Sequence, residues 1–166
     1  MNYKIIPLPS RFLARVRDQQ LDDLDQAVEI SYANGGEPCR DVLRPAKVGE
    51  KIILASYCPF SLTSPYKEYG PIFILANNVK HKSDITMLSL TRLLKNDYLP
   101  DSFIIRAYSI QERIVDAKVT TKDTVHNDLI DLLSNPNAAF VLVRYAAYGC
   151  YALKIECNQN ELSTSI

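Results

Sequence analysis

The chain lacks an excess of charge of either sign, because 19 lysine and arginine residues balance 19 aspartate and glutamate residues. Without a net charge, no global electrostatic field attracts nucleic acid or an anionic membrane surface. We therefore expect neither nucleic acid nor a membrane among the partners of this protein.

Cysteine and histidine, which are common metal ligands, are also scarce. The four cysteines form no C-x-x-C pair and have no tight spacing to His81 or His126. A classical zinc site requires such spacing, so we expect no metal. The G-x-S-x-G, P-loop and dinucleotide-binding motifs are missing as well, and we predict no cofactor. Because a histidine base needs a partner and a nucleophile, we interpret both histidines as surface residues.

Long hydrophobic runs are missing too. Pro7 and Pro9 break the apolar start of the chain, which argues against a secretory signal. The longest apolar stretch, residues 138–153, contains an arginine and is too short to span a bilayer. We therefore expect a cytoplasmic protein with reduced thiols, whose oligomeric state the sequence leaves open. The length fits one domain, which we place at residues 1–157, before a polar tail at residues 158–166.

The most informative features present are two apolar runs, Ile52–Tyr57 and Pro71–Ala76, on either side of a long loop, Cys58–Gly70. Apolar residues at successive positions predict two strands that are buried on both faces at the centre of one sheet. Proline is tolerated at the first residue of a strand, where Pro71 lies. The loop is longer than a hairpin needs and rich in Tyr, Phe and Pro, which indicates an ordered, functional loop.

The first third of the chain has a weaker pattern. Phe12–Val16 fits either a strand or one face of a helix, and we favour a strand. A turn at the acidic segment Asp22–Asp25 and a second strand ending near Tyr32 would follow. Between Pro38 and Pro45 we predict one helical turn, because proline suits the first helical position and also ends a helix.

The rest of the chain shows clusters of strands and helices rather than strict alternation. This pattern predicts an α+β fold, a single domain with a mixed, mostly antiparallel β-sheet and two or three packed helices. Capping residues and apolar spacing predict helices near residues 84–96 and 124–134. The predicted strands are Phe103–Ser109, Arg113–Val119, and an antiparallel pair, Ala138–Tyr145 and Tyr151–Glu156.

A series of short motifs runs through the chain in a distinctive order. They are Cys39-Arg40 with Leu43, Gly49-Glu50, Pro65-Tyr66 with Glu68, Gly70-Pro71-Ile72-Phe73, Arg106-Ala107-Tyr108, and Arg144 with Gly149-Cys150. Over residues 10–157 this series resembles the bacterial proteins grouped as domain of unknown function 1203 (DUF1203). The resemblance implies kinship with that family and no particular reaction.

Two arginines, Arg106 and Arg144, end apolar strand runs. A guanidinium group in a half-buried strand needs a partner, because an unpaired buried charge is strongly unfavourable. One interpretation is that both arginines face one cleft with Glu68 and bind a small anionic ligand through forked hydrogen bonds. The alternative is a set of internal ion pairs with Glu68, Glu50 or Asp41.

Arg40, Tyr66 and Tyr108 complete the set of ligand-binding residues that we predict for this arginine- and tyrosine-lined cleft. The tyrosines have an alternative interpretation as the ordinary aromatic core of a chain without tryptophan. A binding domain for a small anionic ligand is our first hypothesis for the function.

A thiol-dependent enzyme is the second hypothesis. Cys39 follows Pro38 in the predicted helical turn and precedes Arg40, and both a helix N-terminus and a cation lower the pKa of a thiol. An arginine would then stabilise an oxyanion. The alternative for Cys39, and equally for Cys150, is a packing role, since most buried cysteines are inert. The third hypothesis is a protein-interaction domain that uses the tyrosine-rich loop.

Overall fold

The computed structural model describes residues 3–77 and 90–157, which contain two five-stranded sheets. The first sheet consists, in spatial order, of β1 (Tyr3–Ile6), β10 (Tyr151–Cys157), β9 (Phe140–Tyr145), β7 (Ser102–Tyr108) and β8 (Ile114–Thr121). The second consists of β2 (Glu29–Tyr32), β5 (Lys51–Tyr57), β6 (Gly70–Leu75), β3 (Pro38–Cys39) and β4 (Arg44–Pro45). Neighbouring strands are antiparallel, except that β3 runs parallel to β6. The α+β class is thus confirmed, with the strands divided between two sheets.

Short helices accompany the sheets. The helix α1 (Ser10–Ala14) continues as a π-helical segment, Arg15–Gln19. The helix α3 (Val125–Ser134) confirms the helix predicted near residues 124–134, and it buries one apolar face. For the helix predicted near residues 84–96, the structure describes α2 (Leu90–Leu93), and residues 84–89 lie outside the described ranges.

The two sheets share an apolar cluster, which we call the inner cluster. It contains side chains of β5 and β6, such as Ile53 and Ile74, together with Tyr108, Leu142 and Tyr151 of the first sheet. A second cluster packs the other face of the first sheet against α2 and α3. The first sheet is therefore covered on both faces, which explains why all six residues of β9 are buried.

The strands predicted at the two central apolar runs are confirmed. β5 and β6 pair from Ile52 opposite Leu75 to Tyr57 opposite Gly70, and both lie inside the second sheet. Phe73, at the middle of β6, is only partly buried, because it packs against the small cluster on the outer face of this sheet.

The strand favoured at Phe12–Val16 was wrong, because this segment is helical. Phe12, Leu13 and Val16 are all buried in the inner cluster. Their separations of three and four residues place them on one side of a helix. A helix buries these three side chains together between the two sheets, which explains why the segment is helical rather than a strand. The turn after it and the strand ending at Tyr32 are confirmed.

The helical turn predicted between Pro38 and Pro45 was also wrong. The segment forms the short hairpin β3–β4, in which Pro38 pairs with Pro45 and Cys39 pairs with Arg44. The hairpin pairs with β6 through the backbone. Cys39 lies opposite Phe73, and the Arg40 amide donates to the Phe73 carbonyl over 2.9 Å. Both prolines stand where a sheet tolerates them, since Pro38 is the first residue of β3 and Pro45 lies in the edge strand β4.

Within the described ranges, no helix is long and apolar enough to cross a membrane. The polar tail predicted at residues 158–166 lies outside those ranges.

Candidate functional site: a cleft with two buried arginines

A cleft of about 990 Å³ lies where the ends of several strands meet. Its lining combines the turn after β3, the end of the Cys58–Gly70 loop, and the turn between β9 and β10. Most of the walls are aromatic or aliphatic, and the buried charged groups among them are Arg40 and Arg144. A volume of this size is typical of small-molecule sites.

Arg144 enters the cleft from the end of β9. Its Nη1 donates a hydrogen bond to the Gly149 carbonyl oxygen over 2.9 Å, and its Nη2 forms an ion pair with Glu68. The Arg144 side chain is only 6% exposed, whereas that of Glu68 is 45% exposed. Its Nε is buried and has no hydrogen-bond partner in the described part of the chain. The ion pair therefore joins a fixed cation to a largely solvated anion.

Gly149 shapes the turn that holds Arg144. Its φ of +70° lies in the left-handed region, which glycine adopts at little cost. This conformation lets the Gly149 amide donate to the Tyr145 carbonyl over 2.8 Å, and the Gly149 carbonyl accepts from Arg144. The turn thus fixes the orientation of the guanidinium group.

Arg40 lies in the turn between β3 and β4 and is 3% exposed. Its Nε donates to the Tyr151 carbonyl over 2.9 Å, and its Nη1 donates to the Pro38 carbonyl over 2.5 Å. Its Nη2 contacts the Cys150 sulfur at 3.3 Å. Its Cζ lies 5.0 Å from the centre of the Tyr145 ring, a cation–π distance. Among the described residues, no carboxylate forms an ion pair with this guanidinium, so its positive charge is not neutralised by contact.

Buried tyrosines form much of the inner wall. Tyr98 donates to the Ala152 carbonyl over 2.7 Å, and Tyr145 donates to the Tyr98 carbonyl over 2.7 Å. Burial raises the pKa values of Tyr98, Tyr145 and Tyr151, so these phenols are uncharged at neutral pH. The buried charges of this inner wall are therefore those of the two arginines.

The loop that supplies Glu68 is tied to both sheets at its beginning. The Glu112 carboxylate, from the turn between β7 and β8, accepts hydrogen bonds from the amides of Ser61 and Leu62 and from the Ser61 hydroxyl, all within 3.1 Å. Asp23 accepts from the Cys58 amide over 2.9 Å. Burial raises the pKa of Glu112, but the hydrogen bonds from Ser61 and Leu62 outweigh it, so that the pKa is lowered. These hydrogen bonds thus hold the first half of the loop.

The structure brings three of the six predicted ligand-binding residues to this cleft, namely Arg40, Glu68 and Arg144. Arg106 lies on the same face of the first sheet as Arg144, because Arg106 pairs with Leu142 and Arg144 pairs with Ile104. Arg106 lies on the neighbouring strand β7, opposite a residue two positions away from Arg144, and it does not line the cleft. The structure thus places the two strand arginines on one face of the sheet, but it brings only Arg144 into the lining of the cleft.

The two predicted tyrosines lie elsewhere. Tyr108 is buried in the inner cluster and stacks on Phe140, with ring centres 5.3 Å apart. This placement matches the alternative interpretation of an aromatic core. Tyr66 is exposed on the loop, with the Arg113 guanidinium 6.0 Å from its ring centre.

The internal ion pairs considered for the arginines also exist in part. Glu68 pairs with Arg144, as the alternative interpretation expected. Asp41 instead pairs with Arg17 and accepts from the Leu75 amide. Glu50 pairs with Arg44 through two hydrogen bonds. Neither acid neutralises an arginine of the cleft.

Cys39 lies in conditions opposite to those that activate a thiol. It is fully buried in β3, without the helical turn that was predicted around it. Burial, with a contribution from Asp41, raises the pKa of its thiol to about 12. Cys150 is partly exposed, lines the cleft and contacts Arg40.

The sequence prediction missed Tyr98, Tyr145 and Tyr151, which line the cleft. For Tyr145 and Tyr151 the sequence contains a signal, because tyrosine occurs at every third position from 145 to 151, around Gly149. No comparable sequence signal marks Tyr98.

No three His, Cys, Asp or Glu side chains within residues 3–77 and 90–157 gather closely enough to hold a metal ion. His126 is not a free surface residue, because its Nδ1 lies 2.6 Å from the Tyr3 hydroxyl and its Nε2 lies 3.3 Å from the Thr91 hydroxyl. His81 lies outside the described ranges.

The fold and the cleft together define an α+β protein of two sheets with a small-molecule-sized cleft that contains two buried arginines. The sequence model of the family described as "Protein of unknown function (DUF1203)" matches residues 36–157. The chain belongs to this family, and the resemblance inferred from its motifs is confirmed. The matched range begins after the first helical segment and β2. Neither the curated proteins nor the solved structures contain a match to this chain.

Proposed function

We propose that this protein is a binding domain for a small anionic ligand, held in the cleft by Arg40 and Arg144. The observation that supports this function is that two arginines, each more than nine-tenths buried, line one cleft. Within the described residues, only Glu68 forms an ion pair with either of them. A buried cation without a contacting carboxylate favours an anion nearby, because its charge is poorly screened in the interior.

The test is a thermal denaturation experiment with benzoate or inorganic phosphate as probe. A ligand that binds only the folded state stabilises it, by about 2.7 kcal/mol at about one hundred times its Kd. We expect a probe-dependent rise in Tm for the wild type and for Arg106→Met. We expect no rise for Arg144→Met or Arg40→Met.

Arg106→Met is the matched control, because it removes a guanidinium group from the same face of the same sheet outside the cleft. The shift on addition of probe is compared within each variant, so a lower starting Tm does not obscure it. If neither probe stabilises the wild type, or if Arg106→Met loses the effect as Arg144→Met does, the cleft is not the anion site.

A thiol-dependent enzyme is the second candidate function, and the contact between Arg40 and Cys150 favours Cys150 over Cys39 as the nucleophile. Cys150 also lines the cleft, whereas burial raises the pKa of the Cys58 thiol and so lowers its fraction of reactive thiolate. With iodoacetamide, in which the thiolate displaces iodide, we expect Cys150 to react faster than the partly exposed Cys58 and Cys157. Cys39 should remain protected in the native protein. Equal rates at Cys150, Cys58 and Cys157 would contradict a special role for Cys150.

We also propose that residues 1–157 form one domain of a bacterial, cytoplasmic protein that binds neither nucleic acid nor membranes. The balanced charge and the absence of disulfides among the four cysteines support this proposal. Limited proteolysis should remove only the tail at residues 158–166. A protein-interaction role of the tyrosine-rich loop, where Tyr66 and Tyr69 are exposed, stays a prediction.

A further inference from the structure

We infer that the ligand is a monocarboxylate with an apolar or aromatic body, and that its carboxylate replaces Glu68 on Arg144. This inference rests on the proposed function, and it adds the chemical class of the ligand and the residue that the ligand displaces.

The unequal burial of the Arg144–Glu68 ion pair is the first argument. Arg144 belongs to the central strand of the first sheet and is held by the Gly149 carbonyl, so it stays in place. Glu68 reaches it from a loop, and nearly half of its side chain is in water. A half-solvated carboxylate is easily rehydrated, whereas the buried guanidinium group requires a partner. A ligand carboxylate can therefore replace Glu68 and leave Arg144 paired.

The attachment of the loop allows this replacement. The bonds from Glu112 and Asp23 hold the loop at Cys58, Ser61 and Leu62, which is its first half. The second half is largely exposed from Pro65 to Tyr69, where Glu68 lies. Glu68 can leave Arg144 without breaking the bonds that anchor the loop.

The remaining walls indicate the chemistry of the ligand's body. The hydroxyl groups of Tyr98 and Tyr145 already donate to backbone carbonyls, so they are not available to a polar ligand as donors. Arg40 donates through Nε and Nη1 to two carbonyls and lies against an aromatic ring. The buried side of the cleft therefore offers a ligand mainly apolar surface beside the positive charge, which suits a carboxylate on an apolar or aromatic group.

The charges of the lining favour one negative charge over two. Arg40 and Arg144 face three carboxylates in the lining, those of Glu37, Glu68 and Asp97. Glu37 accepts hydrogen bonds from the amides of Asn34 and Gly35, and Asp97 is exposed. Solvent screens the exposed Asp97, so once Glu68 has left, the partly buried Glu37 opposes one of the two buried cations. One positive charge then remains, which a monoanion balances. Glu68 contacts the Arg144 Nη2, and the neighbouring Nε has no partner among the described residues, so the two oxygens of a planar carboxylate match this edge of the guanidinium group.

The experiment measures the affinity of phenylacetate, its neutral amide phenylacetamide, and inorganic phosphate by calorimetric titration of the full chain. In Glu68→Gln the internal competitor is neutral, so phenylacetate should bind about tenfold tighter if the arginine is free about one time in ten in the wild type. Asp116→Asn removes one exposed charge from β8, outside the cleft. It should change the affinity by no more than about twofold, because exposed charges are screened. Phenylacetamide should bind neither variant, and phosphate should bind more weakly than phenylacetate to both.

Three outcomes would overturn the inference, and they separate it from the proposed function. If phenylacetate binds through Arg144 but Glu68→Gln does not tighten it, the displacement is wrong and the anion site stands. If phosphate binds tighter than phenylacetate, the ligand class is wrong and the anion site again stands. If no probe binds any variant, both proposals fail. The gain should also disappear in the double variant Glu68→Gln with Arg144→Met, and Glu68→Ala provides the same comparison if the glutamine variant does not fold.

Discussion

The two sheets of this protein differ in how completely they are covered. Every residue of β9 in the first sheet is buried, because helices cover one face and the second sheet covers the other. Every residue of β2 in the second sheet is exposed, and this strand lies at the edge. The covered sheet provides a firm framework, whereas the less covered sheet carries the long loop.

The cleft is lined by residues from both sheets and from the long loop. Arg144 belongs to the covered sheet, and the Gly149 carbonyl fixes the orientation of its guanidinium group. Glu68 belongs to the loop between β5 and β6, and about half of its side chain is exposed. The proposed exchange of Glu68 for a ligand would require little ordering of the protein, since Arg144 is already held in place.

The largest expected effect is in the core of the first sheet. Phe103 is fully buried, so Phe103→Ala should lower the free energy of unfolding by about 3–5 kcal/mol. Phe73 in the second sheet is only partly buried, and Phe73→Ala should cost about 1–2 kcal/mol. Urea denaturation measures both values, with the exposed Val119→Ala as control at less than about 0.5 kcal/mol. Equal losses at Phe103 and Phe73 would contradict the contrast between the sheets.

An intermediate effect is expected where the two sheets are connected through Glu112. Glu112→Ala removes the acceptor of the Ser61 and Leu62 amides and should cost about 1–2 kcal/mol. The φ of 58° at this position is equally unfavourable for alanine, so the loss reports the hydrogen bonds. Hydrogen exchange should show that both amides lose protection, which they should keep in the exposed control Glu29→Ala. If both amides stay protected in Glu112→Ala, the loop has another anchor.

The smallest effect concerns Glu50 at the periphery of the second sheet and depends on pH. The hydrogen bonds from Arg44 lower the pKa of Glu50 from 4.5 to about 2. A carboxyl group with a lowered pKa stabilises the fold above its unfolded value, and this stability is lost as the pH falls from about 4.5 through about 2. The fall in Tm over that range should therefore be smaller in Glu50→Gln than in the wild type. It should not vanish, because the pKa values of Asp22 and Glu112 are also lowered. An unchanged profile would mean that the pair with Arg44 is not formed in solution.

Regular apolar patterns were sufficient to predict much of the fold. The strands β5, β6, β7 and β9 contain apolar residues at successive positions, and the apolar residues of α3 repeat with the helical period; each of these elements was found. Short, irregular segments were not predicted correctly. Phe12–Val16 and the segment from Pro38 to Pro45 became a helix and a hairpin because their partners lie in distant parts of the chain.

The α+β class, the core strands and the membership of the family could be predicted from the amino-acid sequence, since they depend on local apolar runs and on motif order. Which arginine enters the cleft could not, because it depends on contacts between distant segments. Arg106 and Arg144 follow similar apolar runs, and the register of β7 against β9 places them on one face. Strand periodicity determines the face of a residue but not what covers it. Arg144 donates to the Gly149 carbonyl and forms an ion pair with Glu68 at the cleft. Arg106 lies on the neighbouring strand, outside the cleft.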